Sequence, residues 1–193
     1  HMLLQILTYT HHLTTMLFGI FLSAFFLGVK QNKKNVCILL SGAAVSGLFF
    51  LICNTVFGSL FTEAVYPIFV HLPLFLLLVF YYRFRWLPSI ISIMTAYLCC
   101  QFSNWAGIFA LSLSGLEWVY YLVRIIVTVA VFAFLSRYLC QTTALLFAKS
   151  DRELYILGAM PFVYYVFDYS TTKFSMLLYS GNKVVVEFLA FAM

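Results

Sequence analysis

Charged residues are scarce in this chain: Lys, Arg, Asp and Glu make up 9% of its 193 residues, while 64% are hydrophobic. Soluble domains carry about 25% charged residues, so a large solvated surface is excluded. Soluble-enzyme motifs are missing too, because the sequence has no GxGxxG, P-loop or HExxH string and no acidic pair at membrane-protease spacing. We therefore expect neither enzymatic activity nor a bound cofactor in this stretch of chain.

Paired cysteine spacings of the zinc or secreted-disulfide kind are also missing. The five cysteines all fall within or at the ends of apolar runs: Cys37, Cys53, Cys99, Cys100 and Cys140. Adjacent side chains diverge by about 100° on a helix, so neither the Cys99–Cys100 pair nor His11 with His12 can readily grip one metal ion. The sequence predicts five buried thiols, no disulfide, no metal site, and solvated histidines near the start of the chain.

What the chain does contain is a series of long apolar runs, near residues 8–29, 36–58, 64–82, 88–111, 116–147, 153–179 and 184–193. A membrane-spanning helix needs about 20 apolar residues, and unsatisfied backbone groups in lipid make helices the expected structure. The pattern predicts an all-α fold: a polytopic transmembrane helical bundle of six complete spans and a truncated seventh. Residues 1–193 would form one transmembrane domain with no room for a soluble one. His1 looks like a tag remnant before a native Met2.

The basic residues indicate an orientation. Loops with three, two and two Lys or Arg residues occur at 30–35, 83–87 and 148–153, whereas the alternate loops carry none or, at the 180–183 tip, one. Basic loops favour the cytoplasm, so the N-terminus is predicted to lie outside and the last helix to run inward. The net charge of +5 is interpreted as contact with the anionic headgroups of a lipid bilayer, not with nucleic acid, because no aromatic-basic stripe accompanies it.

A few polar side chains fall inside the runs, where each is costly and is a candidate for function. Counting 1.5 Å per residue places seven of them at comparable height in the outer half: Glu63, His71, Gln101, Asn104, Arg124, Asp168 and Glu187. Two interpretations stay open. The seven could line one outward-facing pocket, in which Arg124 pairs with Asp168 or Glu187 until a ligand binds. They could instead be hydrogen bonds that join helices.

Two stretches carry distinctive strings: His71–Gln101 contains HLPL and TAYLCCQ, and Tyr164–Phe188 contains LLYSG and VVEF. Over roughly residues 63–193 the chain resembles the membrane sensor region of GHKL-type sensor histidine kinases, a bacterial family similar in layout to the accessory-gene-regulator quorum sensors. The resemblance implies a multi-pass receptor of the bacterial plasma membrane in a two-component system. A peptide or small-molecule ligand would bind in the outer half, and the last helix would relay the signal to a cytoplasmic kinase domain that this chain lacks. Homodimerisation would depend largely on that missing part.

Two other classes remain open. A substrate-binding membrane subunit of a vitamin importer is the leading alternative, since such subunits are compact, basic and helical. The small-residue motif with which they hold their transport module is not evident in the first run. A membrane scaffold without a ligand is the third, and in it the seven polar residues would contribute to stability alone.

Overall fold

A computed structural model describes residues 2–170 of the chain, and this part is helical with no strand. The predicted all-α class is confirmed. The elements in chain order are α1 (Met2–Phe26), α2 (Lys33–Phe57), α3 (Ser59–Ala64), a π-helical turn (Pro67–His71), α4 (Leu72–Leu76), a second π-helical turn (Leu77–Tyr81), α5 (Trp86–Ser114), α6 (Glu117–Tyr138), α7 (Cys140–Phe147) and α8 (Asp151–Asp168).

Glycine ends several of these helices because it adopts a positive φ without a Cβ clash. Gly28 follows α1 with φ +90° and Gly115 follows α5 with φ +65°, and beyond Gly28 the N–H of Val29 donates to the carbonyl of Ala24 at 3.1 Å. Helix α2 begins where Asn32 Oδ1 accepts the backbone N–H of Asn35 at 2.8 Å. These local signals set the short loops between the long helices.

The predicted number of membrane spans is wrong. Within residues 2–170, three helices are long and apolar enough to cross a membrane: α2, α5 and α6. The described residues therefore do not form six complete spans. The predicted outside N-terminus depended on the first run crossing the membrane, and α1 is not among the three helices. The predicted seventh run at 184–193 lies outside the described residues.

Prolines explain why the run at 64–82 is not a span. Pro73 has no N–H to donate within a helix, and the region around it is built from two π-helical turns on either side of α4. The N–H of Leu72 reaches back to the carbonyl of Pro67, five residues earlier. The apolar segment Pro67–Tyr81 is at most about 22 Å long at 1.5 Å per residue, which falls short of a hydrocarbon core of about 30 Å.

Three further runs differ from the prediction for separate reasons. Helix α1 has 25 residues and is long enough to span, but His11, His12 and its threonines lower its hydropathy, and it is not among the three spanning helices. Helix α8 carries four charged residues among its 18. The run at 116–147 divides at Leu139, whose φ of −111° and ψ of −24° end α6 and leave α7 with eight residues, or about 12 Å. Counting apolar residues does not register such interruptions.

Helix α5 is the centre of the bundle and packs against α1, α6 and α8. In the most apolar 18-residue stretch of each helix, half of the residues of α5 are buried, compared with 22% for α2 and 11% for α6. The α1–α5 contact includes a hydrogen bond from Ser92 Oγ to the carbonyl of Ser23 at 2.5 Å. The outer faces of α2 and α6 expose large apolar side chains such as Phe49 and Phe134. Apolar faces of this extent fit a lipid environment better than water.

The three basic loops lie together at one end of the bundle. Tyr82 Oη donates to Asn35 Oδ1 at 3.3 Å, which joins the loop before α2 to the loop before α5. Arg85 joins the loop before α5 to the start of α8. Its Nη1 lies 2.7 Å from Asp151 Oδ1, and its Nη2 donates to the carbonyl of Lys149 at 2.6 Å. We call this the basic end.

The cysteines are all free, and Cys53 and Cys140 are buried. Cys99 and Cys100 are half-buried and Cys37 is exposed, contrary to the prediction of five buried thiols. Cys37 lies in the first turn and a half of α2, close to the basic end, where the helix has little packed against it.

Candidate functional site

A cavity of about 1480 Å³ lies between α1, α2, α5, α6, the first π-helical turn and the C-terminal end of α8. Small-molecule pockets usually measure about 300–1,000 Å³, so this space is large. Its wall on α5 extends from Ile93 to Leu111, or about 27 Å along the bundle at 1.5 Å per residue. Among the described residues that line it, the charged side chains are those of Glu117, Arg124 and Asp168.

Most of the predicted site residues come together here. Five of the seven line the cavity: His71, Gln101, Asn104, Arg124 and Asp168. The structure does not describe the side chain of Glu63, and Glu187 lies outside the described residues. Their roles stay predictions, as does the pairing of Arg124 with Glu187.

Arg124 begins a chain of hydrogen bonds from α6 to α5. Its Nη1 donates to Tyr120 Oη at 2.5 Å, and its guanidinium carbon lies 5.1 Å from the centre of the Tyr120 ring. Tyr120 Oη donates to Asn104 Oδ1 at 3.3 Å, and Asn104 Nδ2 donates to Gln101 Oε1 at 3.4 Å. Both amide side chains are buried. Three of the predicted residues thus belong to one polar network.

Gly107 is the reason that Arg124 fits against α5. A Cβ atom on Gly107 would lie 2.5 Å from Arg124 Cγ, 2.9 Å from Arg124 Cδ and 3.1 Å from Tyr120 Cδ2. Carbon atoms in contact prefer about 3.5–4.0 Å, so no larger residue fits without moving the arginine. The missing side chain makes room for the arginine stem between the two helices.

Among the described side chains, no carboxylate forms an ion pair with Arg124, because the ion pairs seen there involve Arg85 and Lys149. Its Nε is buried and has no hydrogen-bond partner among the described residues. A guanidinium stays protonated in proteins, and an uncompensated charge in a low-dielectric interior is costly. The cavity therefore holds a fixed positive charge in a largely apolar wall.

A second cluster surrounds His71 on the side of the cavity formed by α8. His71 Nδ1 lies 2.8 Å from Tyr165 Oη, and Tyr97 Oη donates to Asp168 Oδ2. The ring centres of Tyr97 and Tyr165 are 5.0 Å apart, and that of Tyr169 lies 4.8 Å from Tyr165. These contacts fix the C-terminal end of α8 against α5 and the first π-helical turn. We call this group the His71 cluster.

The two polar groups lie at different heights along α5. Asp168 meets α5 at Tyr97, whereas Arg124 packs on α5 at Gly107 and its partner Tyr120 bonds to Asn104. Seven to ten residues separate these levels, or about 10–15 Å. The offset explains why Arg124 and Asp168 have different partners, Tyr120 and Tyr97, and do not form the predicted ion pair with each other.

His11 is buried, not solvated as predicted. It is 4% exposed, its Nδ1 lies 3.3 Å from Thr15 Oγ1, and its ring centre is 5.8 Å from that of Tyr121. With His12 it lines the wall of the cavity formed by α1, opposite α6. The turn of α1 that carries the two histidines therefore faces the bundle and not water.

The tyrosines of the site were not predicted from the sequence. Tyr97, Tyr120 and Tyr165 each place a hydroxyl on a predicted site residue, yet tyrosine in an apolar run is as typical of packing as of a site. One readable signal existed for Tyr120, because it lies four residues before Arg124 and side chains at this spacing are neighbours on a helix.

Within the described part of the chain, no three His, Cys, Asp or Glu side chains come together as metal ligands would. Hydrogen bonding, the cation of Arg124, the carboxylates of Glu117 and Asp168, and apolar contact are the means of recognition that this cavity offers. The chain matches no protein-family model, no curated protein and no solved structure.

Proposed function

We propose that this chain is the ligand-receiving membrane region of a GHKL-type sensor histidine kinase of the bacterial plasma membrane. The observation that supports the proposal is the cavity, because it places a cation and a chain of hydrogen-bonding side chains inside an apolar helical bundle. Polar groups are costly in such surroundings and usually serve a site. The lipid bilayer and a ligand are the proposed partners, and the kinase activity would belong to a part of the protein beyond this chain.

Helix α8 is the element best placed to pass on a signal. Its C-terminal end contributes Asp168 to the cavity wall, and its first residue, Asp151, is bonded to Arg85 at the basic end. Between them, Gly158 lies so close to α5 that a Cβ atom there would be 2.7 Å from Ile91. A ligand that binds one arrangement of the His71 cluster better than another would shift the position of α8, and it can shift it only by that difference in affinity.

The experiment is to read the gene beyond Met193 and to measure autophosphorylation of the full-length product in nanodiscs. We expect a kinase domain, and we expect Arg124→Ala to change basal or ligand-stimulated phosphorylation because it removes the cavity's cation. Arg137→Ala is the matched control, since Arg137 lies on the same helix, is exposed and does not line the cavity. Phosphorylation unchanged by Arg124→Ala, at normal membrane expression, would refute the role of the cavity.

The same cavity would also suit the substrate-binding subunit of a vitamin importer. The two functions differ in the protein module that works with the ligand-binding region. An importer subunit acts with a separate transport module, whereas a sensor region is joined to a kinase domain. A gene that ends near Met193, together with tight binding of a vitamin to the purified protein, would favour the importer.

A further inference from the structure

The positive charge of the cavity lies above a narrow apolar region, and the two together suggest a shape of ligand. On the side of the basic end, the wall below the Arg124 network includes small and aliphatic residues from three helices. We call this region the tail slot, and its residues are Gly19, Leu40, Ala43, Gly47, Ile93 and Ala96. None of the six has a polar side chain, so they offer apolar contact, while Tyr97 and Asp168 line the cavity at the same depth.

The depth of the slot follows from α5. Asn104 belongs to the Arg124 network and Ile93 lies at the bottom, eleven residues or about 16 Å below. Helices α1 and α2 approach each other closely beside the slot, because a Cβ on Gly47 would lie 3.3 Å from the terminal methyl of Met16. At Gly19 the same construction meets no atom within 4 Å, so there the slot is open space. The depth of the slot suits an extended chain.

The charges decide the sign of the head group. Arg124 has no carboxylate partner and a buried Nε without a hydrogen bond among the described residues, so an anion there would gain charge-assisted hydrogen bonds. Asp168 lies deeper, at the level of Tyr97, and its carboxylate would repel an anion at that depth. The favourable place for a negative head is therefore at Arg124, and the tail then extends into the slot.

We infer that the cavity binds a single-chain amphiphile with an anionic head, such as a carboxylate on an alkyl chain, with its head on Arg124 and its tail between Gly19 and Ile93. This assignment rests on the proposed function, because it names the ligand class of the same cavity. A carboxylate matches the planar guanidinium in geometry as well as in charge.

The test measures equilibrium binding of dodecanoate to the full-length protein in phosphatidylcholine nanodiscs by calorimetry, with dodecyltrimethylammonium as the probe of opposite charge. We expect dodecanoate to bind and the cationic probe to bind at least about tenfold more weakly, since a charge-assisted hydrogen bond contributes about that factor. Preferential binding of the cationic probe would overturn the proposal and assign the head group to Asp168.

Two pairs of variants locate the head and the tail. Arg124→Gln should weaken dodecanoate binding about tenfold or more, while Arg124→Lys, which keeps the charge, should retain most of it. Gly19→Leu should weaken binding, because its side chain would occupy part of the slot. Gly42→Leu is its matched control, because Gly42 is also a mid-helix glycine with no atom within 4 Å of a Cβ but does not line the cavity. Equal binding by the Gly19→Leu and Gly42→Leu proteins would refute the slot.

A bilayer phospholipid carries a related anionic head, so the measurement is repeated in nanodiscs that contain phosphatidylglycerol. Undiminished dodecanoate binding there supports a single-chain ligand, whereas loss of binding by competition would overturn that assignment in favour of a membrane lipid. Circular dichroism of every variant shows whether it is folded. Dodecanoate binding is measured without ATP, so it tests the ligand class alone. The kinase proposal is tested separately, by the phosphorylation of the Arg124→Ala protein.

Discussion

Substituting Gly107 by alanine tests directly whether α5 holds Arg124 in place. The added Cβ would lie 2.5 Å from Arg124 Cγ, about 1 Å closer than a normal carbon contact. Cγ is near the root of the side chain, so relieving the clash requires a different rotamer. That movement would withdraw Nη1 from Tyr120 Oη, which it now contacts at 2.5 Å. The substitution should therefore disturb both packing and the polar network.

The expected magnitude follows from opposing effects. Overpacking a well-packed site costs about 1–3 kcal/mol, and losing a hydrogen bond to a charged group costs about 1.5–3 kcal/mol. Alanine recovers up to about 1 kcal/mol of helix propensity relative to glycine. Since relaxation of the arginine relieves the clash at the expense of the hydrogen bond, the two costs do not add in full. We expect Gly107→Ala to lower the free energy of unfolding by about 1–3 kcal/mol.

The assay is reversible unfolding in mixed micelles by titration with sodium dodecyl sulfate, followed by circular dichroism. Gly19→Ala is the control, because no atom lies within 4 Å of its Cβ, and it should be neutral or stabilising by up to about 1 kcal/mol. In an Arg124→Ala background the cost of Gly107→Ala should shrink, as a double-mutant cycle would show. If Gly107→Ala proved as harmless as Gly19→Ala, the close packing of Arg124 on α5 would be disproved.

Two other predictions concern α8. Tyr97→Phe removes a hydroxyl that donates to the buried carboxylate of Asp168 and should lower the free energy of unfolding by about 1–3 kcal/mol in the same assay. Tyr81→Phe, at a half-exposed residue, is the control and should have little effect. Equal effects of the two substitutions would contradict the role of this hydrogen bond. At the start of α8, a hydrogen bond from the Ser150 side chain and the charge of Lys149 lower the pKa of Glu153 below its usual 4.5. A carboxyl group with a lowered folded-state pKa adds stability above its unfolded-state value and loses it as the pH falls through the folded-state value. Unfolding titrations between pH 6 and about pH 3 should therefore show a steeper loss of stability for the parent than for Glu153→Gln. Parallel curves for the two proteins would contradict this contribution of the Glu153 carboxylate.

The helical class could be predicted because composition and run length leave few alternatives for an apolar chain. The span number could not, because it depends on interruptions that an apolar count does not register. Pro73 breaks the run at 64–82, the histidines and threonines of α1 lower the hydropathy of the first run, and the charges at both ends of α8 exclude the run at 153–179. Each of these is a local backbone or side-chain effect inside a sequence that is apolar on average.

The candidate site was predictable in part. Depth along a helix follows from the rise per residue, so Gln101, Asn104 and Arg124 could be placed near one another from the sequence. His71 lies instead with Tyr97 and Tyr165, nearer the basic end. The partners of these side chains could not be predicted, because which tyrosine meets which polar group depends on the rotation and offset of the packed helices. Asp168 shows the limit: it lines the same cavity as Arg124 but meets α5 about 10 Å nearer the basic end.

The most direct test of the account is whether occupying the cavity changes the output of the full-length protein. Autophosphorylation of the Gly19→Leu and Gly42→Leu proteins should be compared with that of the parent in nanodiscs. We expect an altered basal rate for Gly19→Leu, whose side chain would occupy part of the cavity, and an unchanged rate for Gly42→Leu. Identical rates for all three proteins, or a gene product without kinase activity, would contradict it.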